Sequence, residues 1–146
     1  MEELSVFELK GFTEPTFFVE EDWADLMISA HNSGISDLTI QTDTEIKARH
    51  HSRMRFLSSR AVSPQEMETL ASLIYGGNAS GKLRAGEAID TSYTAKKGGT
   101  PYRFRVNMAS CYARGSYGFQ ATIRTITGKP PSLEWLNVDK QILDNF

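Results

Sequence analysis

The sequence predicts an α+β domain with a mainly antiparallel sheet and flanking helices. Two amphipathic helical stripes alternate with groups of short strands, in the order helix, strands, helix, strands. The segment from Pro101 to Ile126 reads as two strands with strict alternation, the clearest β signal in the chain. The length of 146 residues suits a single domain, and 40% hydrophobic against 23% charged residues is a globular composition.

Residues 1–19 are mixed, with Thr13, Pro15 and Thr16 interrupting short apolar pieces, and are expected to form an arm or an edge strand. A helix follows, because Trp23, Leu26, Met27 and Ala30 recur on one stripe behind the acids Glu20, Glu21 and Asp22, with Gly34 as its stop. Ser36 to Thr42 alternates Leu38 and Ile40 with polar residues and predicts a strand. Two more short strands are expected over Glu45–His50 and Arg53–Ser58. Ser63, Pro64 and Glu66 form the cap, first residue and capping-box acid of a second helix, whose stripe is Met67, Leu70, Ala71 and Ile74. A short helix is expected around Ser80–Arg84, then a strand over Ala88–Ala95 and a turn at Lys96-Lys97-Gly98-Gly99. Pro130-Pro131 breaks the pattern, and Ser132–Phe146 carries a Leu133/Trp135/Leu136 cluster with no clear end.

Sixteen basic and eighteen acidic side chains give a net charge of −2, which argues against a dedicated nucleic-acid binder. The single cysteine, Cys111, excludes an internal disulfide and is read as a small buried strand residue. No apolar run is long enough to span a bilayer and the start, Met1-Glu2-Glu3, is acidic, so a soluble cytoplasmic protein is expected.

Several apparent motifs have plainer readings. Gly76-Gly77-Asn78-Ala79-Ser80-Gly81-Lys82 has the glycine and lysine spacing of a phosphate loop, but Leu83 stands where Ser or Thr should hold magnesium. A helix also precedes it, where a strand is required, so it reads as an ordinary helix-to-helix loop. His50-His51, with His31 upstream, offers no metal site, because neighbours on a strand point to opposite faces. Glu87 and Asp90 read as exposed residues at the start of a strand.

The arginines are the candidate functional residues. Arg103, Arg105 and Asn107 fall opposite Tyr102, Phe104, Val106 and Met108; Gln120, Thr122 and Arg124 fall opposite Phe119, Ala121 and Ile123; Arg114 lies in the connection. Guanidinium groups converging on one strand face suit a bidentate phosphate or carboxylate. Charged residues that merely solubilise a strand are the plainer alternative. Rings and charges on different faces disfavour a single-strand nucleic-acid platform.

Ser36-Asp37-Leu38-Thr39-Ile40, Arg103-Phe104-Arg105-Val106-Asn107, Arg114-Gly115 and Arg124-Thr125-Ile126 together resemble the N-terminal domain of the PilT-like secretion ATPases. Ile40-Gln41-Thr42, Ile74-Tyr75-Gly76, Asn78-Ala79 and Ile89-Asp90-Thr91 resemble the DotB/TraJ branch, of Dot/Icm type IVB secretion and related conjugation systems. The resemblance covers residues 20 to 140, and Thr127 stands where relatives commonly have proline.

The resemblance implies a PAS-like domain over residues 20–129, with residues 130–146 starting a linker to a RecA-like ATPase domain that lies beyond Phe146. It implies a hexameric ATP hydrolase, peripheral to the inner membrane through the secretion machinery, that uses ATP and Mg when full length. Arg105, Arg114 and Arg124 match arginines that reach nucleotide phosphates, with Arg103 ranked behind them. The implied partners are the protein's own ATPase domain, neighbouring subunits and the secretion machinery, with no direct nucleic acid. This segment lacks Walker motifs, so no catalytic residue, metal or cofactor is expected within it. The rival reading is a stand-alone PAS-like ligand-sensing or protein-interaction module.

Overall fold

The structure, a computed structural model, describes residues 6–113 and 116–126. Helix α1 (Glu20–Asn32) begins where the expected acids lie in its first turn, and the Asp22 carboxylate accepts the Val19 N–H at 3.0 Å. Its buried surface is broader than one stripe: Trp23 and every residue from Leu26 to Ala30 are buried. The arm accounts for this, since Phe18 stacks on Trp23 at 4.1 Å and Phe12 on Phe18 at 6.1 Å. Lys10 N–H also donates to Ser33 Oγ at 3.1 Å, at the far end of the helix. Gly34, at φ +81°, then turns the chain into the sheet, in the left-handed region open to glycine.

Strand β1 (Ile35–Gln41) leads to the short strands β2 (Lys47–His50) and β3 (Arg53–Phe56). Helix α2 (Pro64–Tyr75) and helix α3 (Ala79–Arg84) come next, followed by β4 (Ile89–Lys97), β5 (Thr100–Ala113) and β6 (Ser116–Thr125). The sheet is antiparallel in order β3-β2-β1-β6-β5-β4, so β1 pairs with the distant β6 as well as with β2. This is the expected α+β, PAS-like arrangement. The helices cover one face, where Leu38, Ile40, Ala48, Phe104, Val106, Met108, Ala121 and Ile123 are buried beneath them. The segments expected at 132–146 and the connection at Arg114 lie outside the described residues.

Two turns make the outer hairpins. Gly98 and Gly99 join β4 to β5 with φ of +60° and +81°, the left-handed pair that a two-residue hairpin with this twist needs. His51 and Ser52 make the β2–β3 turn at φ +49° and +67°, without a glycine. This corrects the expectation for the histidines. Because His51 sits in a turn rather than on the strand, its ring does not oppose that of His50; the two rings meet at 4.1 Å. Among the described residues no group of three or more potential metal ligands forms around them. Cys111 is half-buried rather than buried, and burial raises its thiol pKa, which keeps it protonated.

Glu66 joins the elements. Its capping box forms as expected: the Ser63 hydroxyl accepts the Glu66 N–H at 3.2 Å, and the carboxylate accepts the Ser63 N–H at 2.9 Å. The carboxylate also accepts the Phe18 N–H at 2.7 Å and both terminal nitrogens of Arg60 at 2.7 and 2.8 Å. The Glu66 carbonyl accepts the Trp23 indole N–H at 3.1 Å. The side chain is nearly inaccessible to solvent; burial opposes its ionisation, but Arg60 and the two N–H donors outweigh burial and lower its pKa to about 2.

A second tight contact closes the sheet at β6. Thr42 Oγ1 accepts the Phe119 N–H at 2.9 Å, and a Cβ on Gly118 would lie 2.6 Å from the Thr42 Cβ. Gly118→Ala is expected to destabilise the domain by about 1–3 kcal/mol, through overpacking of Thr42, as measured by urea unfolding. Because the folded pKa of Glu66 lies below its ordinary 4.5, its stabilisation is complete above that pH and is lost as pH falls towards about 2. Glu66→Gln should cost about 2–3 kcal/mol at pH 7 and flatten the acid limb of a stability-against-pH curve. A limb of unchanged steepness would remove Glu66 from this role.

Candidate functional site

The helices leave the second face of the sheet open, and strand alternation decides what it carries. Lys47 and Arg49 of β2, Lys96 of β4, Arg103 and Arg105 of β5, and Arg124 of β6 share this face. Among the described residues, the only acidic strand residues there are Asp37 of β1 and Asp90 of β4. A chain of net charge −2 thus presents one basic face.

The structure brings the predicted residues Arg103, Arg105 and Arg124 together on this face. Arg105 and Arg124 stand directly opposite each other in the β5–β6 register. Arg114 lies outside the described residues. Phe104 is fully buried on the other face, so on β5 the ring and the arginines are segregated as expected; on β3, Phe56 shares the open face with Lys47. Arg49 and Lys47 escaped the sequence reading. Their alternation around Ala48 was visible, but nothing local says that β2 lies two strands from β6.

Two of the guanidinium groups already hold carboxylates. Arg105 donates through Nε and a terminal nitrogen to Asp90 at 3.2 and 3.3 Å, and Arg124 Nε donates to Asp37 at 3.2 Å. The side chains of Arg105 and Asp90 are 61% and 54% exposed, those of Arg124 and Asp37 74% and 26%. Such pairs are bathed in water and contribute only about 0.2–1 kcal/mol each. Arg103 makes no ion pair among the described residues. Beside Arg124 a depression of about 380 Å³ is lined by Asp37, Thr39, Arg49, Met54 and Thr122 as well. The cations and this depression together offer an anion exposed guanidinium donors.

Of the stretch with phosphate-loop spacing, residues 76–78 connect α2 to α3 and residues 79–82 belong to α3 itself. Lys82 pairs with Glu87 at 3.5 Å and sits 5.5 Å from the centre of the Tyr75 ring.

Over 90% of its length the chain superposes on the ATPase DotB of Legionella pneumophila, with 36% identity and a TM-score of 0.75. The chain matches an N-terminal domain of a PilT-like, DotB-type secretion ATPase. It shares the fold of the ATPase DotB of Yersinia pseudotuberculosis over 92% of its length, with 22% identity and a TM-score of 0.76. The pilus retraction motor PilT matches 76% of it, with 23% identity and a TM-score of 0.55. The chain spans 36%, 37% and 31% of those three proteins, respectively. No family model and no curated protein matches it. Among the described residues no helix of this DotB-like domain is long and apolar enough to cross a membrane.

The exposed ion pairs of this domain should be easily broken. A double-mutant cycle on Asp37 and Arg124 is expected to give a coupling below about 1 kcal/mol, shrinking further in molar salt. A larger, salt-insensitive coupling would mean a structural pair closed to other anions.

Proposed function

We propose that this chain is the N-terminal regulatory and assembly domain of a hexameric type IV secretion or conjugation ATPase. In that assembly Arg105 and Arg124, with Arg114 and more weakly Arg103, meet the phosphates of ATP and Mg bound by a RecA-like ATPase domain. The observation that carries this reading is the 36% identity to a DotB ATPase over 90% of the chain. The arginine face supports the electrostatic part, since three of the four residues project from one uncovered surface. PilT, which shares the fold, was solved with bound ADP.

The role assigned to the arginines is charge stabilisation. Chemistry at a transferring phosphoryl group depends chiefly on positioning and on cations placed where negative charge accumulates. The ATPase domain would supply the phosphate loop, magnesium and catalytic acid; this domain would supply guanidinium groups on a rigid sheet. Movement of the sheet relative to the ATPase domain would then both complete the site and transmit work.

In a full-length hexamer, Arg105→Ala and Arg124→Ala should each lower ATP turnover by about tenfold to a thousandfold. Hexamer formation by light scattering should be unchanged. Unaltered turnover in both variants would remove the arginines from the nucleotide site.

A further inference from the structure

On the open face two cations stand side by side on neighbouring strands. In the β1-β6-β5 rows Asp37 stands opposite Arg124, and Arg124 opposite Arg105, which reaches Asp90 at 3.2 Å on the far side. The row therefore reads acid, base, base and then Ser92, while Asp90 reaches Arg105 diagonally from its place opposite Asn107. Like charges directly opposite in an antiparallel pair repel, and a sheet built only for solubility would alternate the signs. Here the repulsion between the two arginines is offset from outside, by one carboxylate each. Arg49, opposite Asp37 on β2, adds a third cation to the same row.

The space between Arg105 and Arg124 is thus where an anion gains most, and the two carboxylates are what it must replace. A ligand of single charge can replace only one of them. A phosphate group with two or more charges replaces both and bridges the pair, each guanidinium offering parallel N–H donors. We propose that Asp37 and Asp90 are resident counter-ions of the Arg124–Arg105 pair. They hold the arginines in place in the unliganded domain and yield to a multiply charged phosphate, so that the face discriminates by charge number. This extends the phosphate-contacting role proposed above to its regulation: the acids set how much charge a ligand needs before the face engages it.

The test uses this chain, with tripolyphosphate and acetate as probes at low ionic strength. Affinity is read by calorimetry, and the ligand's position by the Nε–H resonances of Arg105 and Arg124. In the parent chain tripolyphosphate should shift both resonances and acetate neither. The Asp37→Asn/Asp90→Asn double variant keeps side-chain shape but removes the competing charge. It should bind tripolyphosphate roughly two- to thirtyfold tighter, the combined strength of two exposed ion pairs, and should begin to bind acetate. Matching circular dichroism and melting temperature confirm an intact fold, as expected for substitutions on an open face. Unchanged affinity in the Asn variant, with binding lost in Arg105→Ala/Arg124→Ala, overturns the exchange but leaves a phosphate face. Absence of binding in every form also overturns the exchange, whereas the nucleotide role itself is decided separately by the turnover of the full-length hexamer.

Discussion

The buried carboxylate of Glu66 is the interaction on which the arrangement of helices and arm depends. An ion removed from water is costly unless every lone pair finds a donor. Here the donors come from three separate places: the N–H of Phe18 in the arm, the N–H of Ser63 at the helix cap, and Arg60 in the preceding loop. The backbone carbonyl of the same residue receives Trp23 from the first helix. One side chain thereby ties the arm and the cap of α2 together while its carbonyl brings in α1, and the stacked rings of Phe12, Phe18 and Trp23 fill the space between. This concentration of helices and arm on one side has a direct consequence: among the described residues the other face of the sheet is left uncovered.

That uncovered face is where the domain departs from what folding alone would favour. Two arginines occupy directly opposed positions on neighbouring strands, a local conflict that costs stability. Local rules are most often broken where a site must be preorganised. The conflict is offset by Asp37 and Asp90, each paired with one arginine at the surface. A rigid sheet presenting concentrated, partly compensated positive charge is what the proposed role, completing a phosphate site held by another domain, requires.

Much of this was legible before any coordinates. Ser63-Pro64 and Glu66 announced α2, because capping-box chemistry involves residues only three apart. The period of two from Tyr102 to Met108 and from Phe119 to Arg124 assigned the side chains of those two stretches to the correct faces. The failed phosphate loop was recognisable from Leu83 and from the helix before it. The histidine argument missed because it assumed a strand at His51, where the backbone turns through a left-handed conformation without glycine. The strand bounds expected from the sequence left His51-Ser52 as the connection, but no glycine there marks its left-handed conformation. The wider role of Glu66 was equally hidden: its cap partner is three residues away, but Phe18 is 48 residues distant.

Alternation and capping chemistry, which act between residues close along the chain, were enough to establish the elements, their exposed and buried faces, and the presence of guanidinium groups on a shared surface. Their neutralising partners were not accessible to such reasoning. Asp37 meets Arg124 across 87 residues of chain, and only because β1 inserts between β2 and β6. Strand order is set by how the helices and arm cover one side of the sheet, a property of the packed whole. Local chemistry therefore named the cations, whereas packing chose their counter-ions.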